Sequence, residues 1–318
     1  MDRHETSCHA PSILFNKTVT AIRYGSAAQG GVRVEPADGH VFSAKRCVVT
    51  FSSGVVNAAV RGGQFFHPAL PAWKADAFAK TDPGVYTKIF LRYNRKFWDD
   101  ADYILFADPA KRGYYAVWQD MESHGKFFPN KSNILMVTLV QQDSQRVESQ
   151  SSAETAVEVQ AALRQMYGPD VLEPIDILIP KWHSNEFFRG SWSNIAVGTR
   201  SKDFEAMQRP VGNVYFAGEA TDADYNGFVL GGYHSGEVVG RRILKDMKDD
   251  ESGLGLRLSG LGAACSHPGV RVSPSIAGVA TSGIALIACC LGVRFKLWPF
   301  QGHAKKRKGL GMPMLSDC

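Results

Sequence analysis

No glycine-rich phosphate cradle of the GxGxxG type occurs anywhere in these 318 residues, so no dinucleotide-binding turn of that kind can be read. The six cysteines (Cys8, Cys47, Cys265, Cys289, Cys290 and Cys318) form no CxxC pair and stand beside no histidine pair at ligand spacing. That scatter excludes a zinc site and a dense disulfide framework. The opening MDRHETSCHAPS lacks the apolar run of a secretory signal, so none is expected there. Outside the tail, charge of one sign is also lacking. Of 36 Lys and Arg against 31 Asp and Glu, the surplus of five sits in Arg294–Cys318, where six basic residues meet only Asp317. A balanced body of this kind gives no nucleic acid partner.

What is present is a globular composition, 44% hydrophobic and 21% charged, sufficient for a sizeable core and for two domains. Extended segments are expected at Ile13–Tyr24, Gly31–Glu35 and Val41–Phe51 from their β-branched residues, with a turn at Ala37-Asp38-Gly39. Gly84–Tyr93, Tyr114–Trp118 and Asn133–Val140 read as further strands, and Asp176–Pro180 and Asn213–Ala217 as short buried ones. Ser151–Tyr167 is the clearest helix. Ser151 and Glu154 have capping-box spacing, Ala156, Val159, Leu163 and Met166 form one stripe, and Gly168-Pro169 ends it. A second helix is expected over Val229–Lys248. Interleaved strands and helices predict an α/β or mixed α+β fold.

Residues 249–274 read as a Gly- and Ser-rich linker. Ser275–Val293 then runs 19 residues without a charge, close to the ~20 that span a bilayer. The basic tail 294–318 follows. These features predict a single membrane-spanning helix with a cytoplasmic C-terminus and a lumenal or extracellular body, against the plainer alternative of a buried helix in a soluble or secreted protein.

The most informative stretch is Val214–Gly236, VYFAGEATDADYNGFVLGGYHSG. An apolar strand ends at Gly218, the acid Glu219 follows at once, and a glycine-punctuated turn leads into a helix. Gly218 permits close approach of a ligand to the backbone, Glu219 can accept a sugar hydroxyl, and N–H groups around Phe228–Gly231 form a positive helix end. Taken alone, such strand–turn–helix units are common in structural roles.

The stretch resembles the C-terminal flavin-binding signature of the flavin-containing amine oxidases, particularly plant-type polyamine oxidases, with their GE…YNG-x-V-x-G-x-Y-x-SG pattern. Val85–Leu91 (VYTKIFL), Arg112–Gln119 (RGYYAVWQ), Val137–Gln150, Ile177–Trp182 and Gly190–Gly198 (GSWSNIAVG) follow the family's order and approximate spacing. The resemblance runs from about Ser12 to Leu244.

It implies a two-domain FAD-linked amine oxidase fold. Residues 12–60 and 187–248 would be parts of the FAD-binding domain, with a substrate domain at 61–186. The implied chemistry is hydride transfer from the carbon beside a neutral amine, such as spermine or spermidine, to flavin N5. An aldehyde and a shorter amine follow, and O2 reoxidises the flavin with release of H2O2. Lys88 matches the lysine that holds a water against flavin N5, and Tyr86 an active-site tyrosine on the same strand. Trp192 and Phe228 match two aromatics that flank the amine, where Phe228 replaces the usual tyrosine and Trp192 is bulkier than the plant-type phenylalanine. Glu219, next to Gly218, corresponds to the acid contacting the FAD linker. Val229 corresponds to a backbone contact of the flavin ring, Val19 to one of the adenosine part, and Trp182 to an aromatic beside the isoalloxazine. Without the family, Lys88 would pass for a solvated strand lysine, and Trp192 and Phe228 for core. The family's glycine-rich first unit has no counterpart before Ser12, so the chain is expected to correspond to the C-terminal portion of such an enzyme. A non-catalytic, membrane-tethered protein without FAD is the alternative.

Overall fold

The computed structural model describes residues 13–25, 31–123, 128, 131–261 and 284–287. For 251–261 and 284–287 only the backbone course is described. The elements run β1 (Val19–Tyr24), β2 (Val32–Pro36), β3 (Phe42–Ala44), β4 (Arg46–Val49), α1 (Ser53–Gly62), β5 (Phe66–His67), α2 (Ala72–Ala79), β6 (Thr81–Pro83) and β7 (Tyr86–Arg92). There follow β8 (Tyr103–Leu105), β9 (Val117–Asp120), β10 (Ile134–Val140), α3 (Gln141–Ser149), α4 (Ser152–Tyr167), β11 (Asp176–Leu178), β12 (Ser193–Ile195) and α5 (Ser201–Gln208). The described chain ends with β13 (Val214–Phe216), a single 3-10 turn (Glu219–Thr221), α6 (Val229–Leu261) and β14 (Ile284–Ile287). Helix and sheet are mixed, as the sequence predicts.

Four sheets occur among the described residues. One has the order β3-β2-β1-β5, and a parallel one the order β13-β4-β14. An antiparallel five-stranded sheet is ordered β11-β7-β10-β9-β8, and β12 pairs with β6. All four residues of β4 are buried, as expected of a strand in a parallel sheet covered on both faces. Its Cys47 and Val49 enter a core with Ile22, Val34, Phe78 and Phe216, and its Val48 packs with Tyr215, Val239 and Ile243 below α6. A separate core joins the five-stranded sheet to α4 through Ile89, Leu91, Trp118, Val137, Val159 and Leu163. Each such fully buried side chain contributes on the order of 2 kcal/mol.

The capping box forms as read: Ser151 accepts the Glu154 N–H at 3.2 Å and its own N–H reaches Glu154 at 2.9 Å. Elsewhere the structure departs from expectation. Val41–Phe51 divides into β3 and β4. The strand expected at Tyr114–Trp118 starts instead at Val117, because Tyr115 turns back with φ of 44°. That turn brings the Tyr114 and Tyr115 hydroxyls to Glu158 at 3.1 and 2.9 Å.

The helix expected to stop at Lys248 continues to Leu261, through the first part of the expected linker. Extending an existing helix needs no new nucleus, and the leucines and arginine of GLGLRLSGL are good helix formers. Of the span 275–293 expected to cross a membrane, only Ile284–Ile287 are described, and they form a strand parallel to β4. An open strand edge offers unpaired N–H and C=O groups, which recruit an extended neighbour. No helix among the described residues is long and apolar enough to cross a membrane. The tail 294–318 and linker residues 262–274 lie outside the described residues.

Candidate active site

The site begins with the alternation of β7. Thr87, Ile89 and Leu91 are buried, which turns Tyr86 and Lys88 to the opposite face of the sheet. The buried side is pinned by polar contacts as well as apolar ones. Thr87 Oγ1 donates to Glu148 Oε1 at 2.8 Å, and Glu148 also accepts the backbone N–H groups of His183 and Ser184 at 3.2 and 2.7 Å. Pairing with β10 sets Lys88 opposite Thr138 and Tyr86 opposite Val140. Lys88 is exposed and makes no ion pair with a described residue.

A second wall is laid alongside. The Gly84 N–H donates to the Trp192 carbonyl at 2.7 Å, the Ser191 N–H to the Gly84 carbonyl at 2.9 Å, and Ser191 Oγ to the Tyr86 carbonyl at 2.8 Å. Trp192 is thereby brought edge to face against Tyr86, ring centroids 4.6 Å apart. A side chain at position 84 would crowd it, since a Cβ there would lie 3.2 Å from the indole.

The third wall is the turn before α6. Glu219 accepts the Ser193 N–H at 3.0 Å, the Ser193 hydroxyl at 2.6 Å and the Gly227 N–H at 2.8 Å. Asn226 Nδ2 adds a bond to Ser193 Oγ at 3.0 Å. Of the N–H groups expected to form a free positive helix end, those of Phe228 and Gly231 close turns onto the Tyr225 and Phe228 carbonyls at 3.1 and 3.0 Å. Below this turn, burial would raise the Asp222 pKa. The His234 ring and the Tyr225 and Asp224 N–H groups outweigh burial and hold the carboxyl below its usual range.

These walls border an open cleft of about 570 Å³ lined by Tyr86, Lys88, Trp192, Ser193, Asn194, Ile195, Asn226, Gly227 and Phe228. All four residues singled out as catalytic or substrate-binding therefore meet in one place, from three separate stretches of sequence. Lys88 is the one charged side chain among those lining it. Beside it, Phe228 is 68% and Val229 93% exposed. Gly218 has φ of 127°, a region closed to side chains, with nothing within 4 Å of where a Cβ would sit.

Val19 and Trp182 do not line the cavity. Val19 starts β1 opposite Pro36 and packs on the first core, and Trp182 lies edge-on to Phe188 at 4.6 Å. Sequence reading missed Ser191 and Ser193, whose short side chains act only through partners distant in the chain. Asn226 was visible in the YNG motif, but its contact with Ser193 was not. No group of three or more His, Cys, Asp and Glu able to hold a metal occurs among the described residues.

This fold is that of a class of oxidases of known structure. The chain is similar to cyclohexylamine oxidase from Brevibacterium oxydans IH-35A, with a TM-score of 0.59 and 20% identity, over 74% of this chain and 49% of that one. The family model for flavin containing amine oxidoreductase matches residues 9–244, and the chain belongs to that family. It is 41% identical over 230 residues to polyamine oxidase 1 of Zea mays, covering 71% of this chain and 44% of that protein. It is 39% identical over 225 residues to polyamine oxidase 6 of Oryza sativa subsp. japonica, covering 70% of this chain and 43% of that protein. The chain thus spans under half the length of these relatives.

Proposed function

We propose that this chain supplies the amine-binding walls and one flank of the flavin site of an FAD-dependent amine oxidase whose substrates are polyamines. The observation that carries the reading is the single cavity gathering Tyr86, Lys88, Trp192 and Phe228. Two aromatic faces attract a cationic chain and orient its neutral nitrogen. Lys88, on the β7 wall, is free to hold a water there. The substrate class follows the names of the relatives in Zea mays and Oryza sativa.

Residues around the start of α6 fit a planar cofactor. Gly218 leaves open space beside a backbone only glycine adopts, and the exposed Phe228 and Val229 offer apolar surface that a ring would cover. Val229 would meet the ring through its backbone, and Gly218 and Glu219 would lie along the linker. Val19 and Trp182 are assigned to the adenosine and isoalloxazine contacts on resemblance to the family. When bound, FAD supplies the two-electron acceptor for amine oxidation, with O2 as the terminal oxidant.

The test is a visible spectrum of the full chain titrated with FAD, followed by anaerobic addition of spermidine. A bound flavin band that bleaches with spermidine is expected. Absence of a bound flavin would overturn cofactor binding by this chain and leave the non-catalytic alternative. A bound flavin that bleaches with a monoamine but not with spermidine would overturn the substrate class.

A further inference from the structure

We infer that Glu219 is a positioning residue that sets the width of the amine slot by holding its two aromatic walls at a fixed separation. The inference rests on reading the cavity as an amine site. Trp192 stands just before β12 and Phe228 just before α6. Their backbones are joined chiefly through one carboxylate, with Asn226 as a second link. Oε1 takes the Ser193 N–H, next to Trp192, and Oε2 takes both the Ser193 hydroxyl and the Gly227 N–H, next to Phe228. A carboxylate offers about four acceptor positions, so three of them are engaged within the chain. Asn226 closes the loop by donating to Ser193 Oγ and, at 3.4 Å, to the Glu219 carbonyl.

The same segment is tied on its other side to β7, because Ser191 Oγ donates to the Gly84 and Tyr86 carbonyls at 3.1 and 2.8 Å. Residues 190–195 therefore form a strut between the strand bearing Lys88 and the turn bearing Phe228. Removing the Ser191 hydroxyl would loosen the segment's tie to β7, which the Gly84–Trp192 and Ser191–Gly84 backbone bonds still hold. Cutting the strut at Glu219 would let the Phe228 wall drift from the Trp192 wall while Tyr86 and Trp192 stay together. The slot width then becomes a property of Glu219, although its carboxylate is absent from the cavity lining.

Glu219→Gln keeps the shape but replaces an acceptor oxygen by a donor, so that one of the three N–H or O–H groups faces an NH2. Ser193→Ala removes the two bonds of the hydroxyl, to Glu219 and from Asn226, but leaves both backbone N–H groups on the carboxylate. In the full chain labelled with 5-fluorotryptophan, the Trp192 fluorine signal, assigned by Trp192→Phe, should shift in E219Q and by less in S193A. The Trp73 and Trp118 signals should not move. Binding of hexylamine and benzylamine gives the second readout. E219Q should weaken binding of the slim amine, which needs both walls close, severalfold and that of the bulky amine less, so that discrimination falls. An unmoved Trp192 signal in both variants overturns the inference. So does an equal loss of affinity for both amines, which is what a merely structural carboxylate would give. Should E219Q fail to fold, S193A carries both readouts. If the unaltered chain takes neither amine, the amine reading fails, and the fluorine signals alone decide for or against the strut.

Discussion

The Tyr86 ring meets the Trp192 indole edge to face, with centroids 4.6 Å apart and planes inclined at 60°, although Tyr86 lies on β7 and Trp192 just before β12. Such a pair contributes ~1 kcal/mol beyond area burial. Its greater consequence is geometric. It closes the corner of the cavity nearest Lys88, while the Ser191 hydroxyl holds the Tyr86 carbonyl behind it. The aromatic wall and the lysine wall therefore move as one unit, and the remaining adjustable wall is the turn carrying Phe228.

Lys88 offers the cleanest separation of function from stability. It is exposed and unpaired among described residues, on a strand whose other face is held by Thr87, Ile89 and Leu91. Lys88→Met should change unfolding free energy by no more than about 0.5 kcal/mol. Amine turnover should fall by roughly 10²-fold or more if the lysine holds a water or moves a proton. Urea denaturation beside amine-dependent peroxide release in the FAD-loaded full chain checks both. Unchanged turnover would remove Lys88 from the site.

The sequence made some of this legible and hid the rest for physical reasons. Alternation in VYTKIFL and the YNG turn are local patterns, so β7 and the start of α6 could be placed before any coordinates. The Ser151–Glu154 cap was legible for the same reason. The strut was not, because Ser193 and Glu219 stand 26 positions apart and a serine beside a tryptophan carries no periodic signal. Nor was the turn at Tyr115, since the hydroxyl bonds that accompany its positive φ go to Glu158, more than 40 positions away. The buried Lys74 was invisible too, since nothing in PAWKADAF distinguishes it from a surface lysine.

Gly218 tests the cofactor flank. With φ of 127° and ψ of 163° it occupies backbone space that side chains avoid, so Gly218→Ala should cost about 1–3 kcal/mol of stability. The added methyl has no atom of the described residues within 4 Å, so they add no steric cost. A loss of FAD affinity measured well below the melting transition would therefore report the methyl's intrusion on the ligand. Calorimetry paired with FAD titration makes the comparison. Unaltered affinity in the folded variant would place the cofactor elsewhere.

Lys74 predicts a pH dependence. Its side chain is fully buried, and Nζ donates to the Ala206, Met207 and Arg209 carbonyls at the end of α5, over the Phe216 ring at 3.7 Å. Burial, with Arg242 and Arg209 nearby, pulls its pKa down to about 6. The unfolded chain, with the ordinary lysine value, then binds more protons than the folded one between pH 6 and the ordinary value of 10.5. Stability should rise with pH across that window, and below about 6 the full cost of burying the charge is present. Lys74→Met should flatten the rise. Melting curves of both proteins between pH 6 and 9 provide the test, and parallel slopes would refute the assignment.

Gly231 reverses the usual rule for helices. An alanine in a helix is worth about 1 kcal/mol over glycine, so Gly231→Ala in the first turn of α6 would ordinarily stabilise. Here the new Cβ would fall 2.3 Å from the Tyr225 carbonyl oxygen and 3.0 Å from its carbon, a backbone contact that no rotamer can relieve. Either α6 or the Tyr225–Gly227 turn must shift, and the Gly227 N–H that Glu219 accepts lies in that turn. Gly231→Ala should therefore lower the melting temperature and shift the Trp192 fluorine signal through Gly227, Glu219 and Ser193. Gly232→Ala, one position on with nothing within 4 Å of its Cβ, should be neutral or stabilising and leave that signal in place. If the two variants behaved alike, the tight seating of α6 on Tyr225 would be wrong, and with it the route by which the helix start sets the cavity wall.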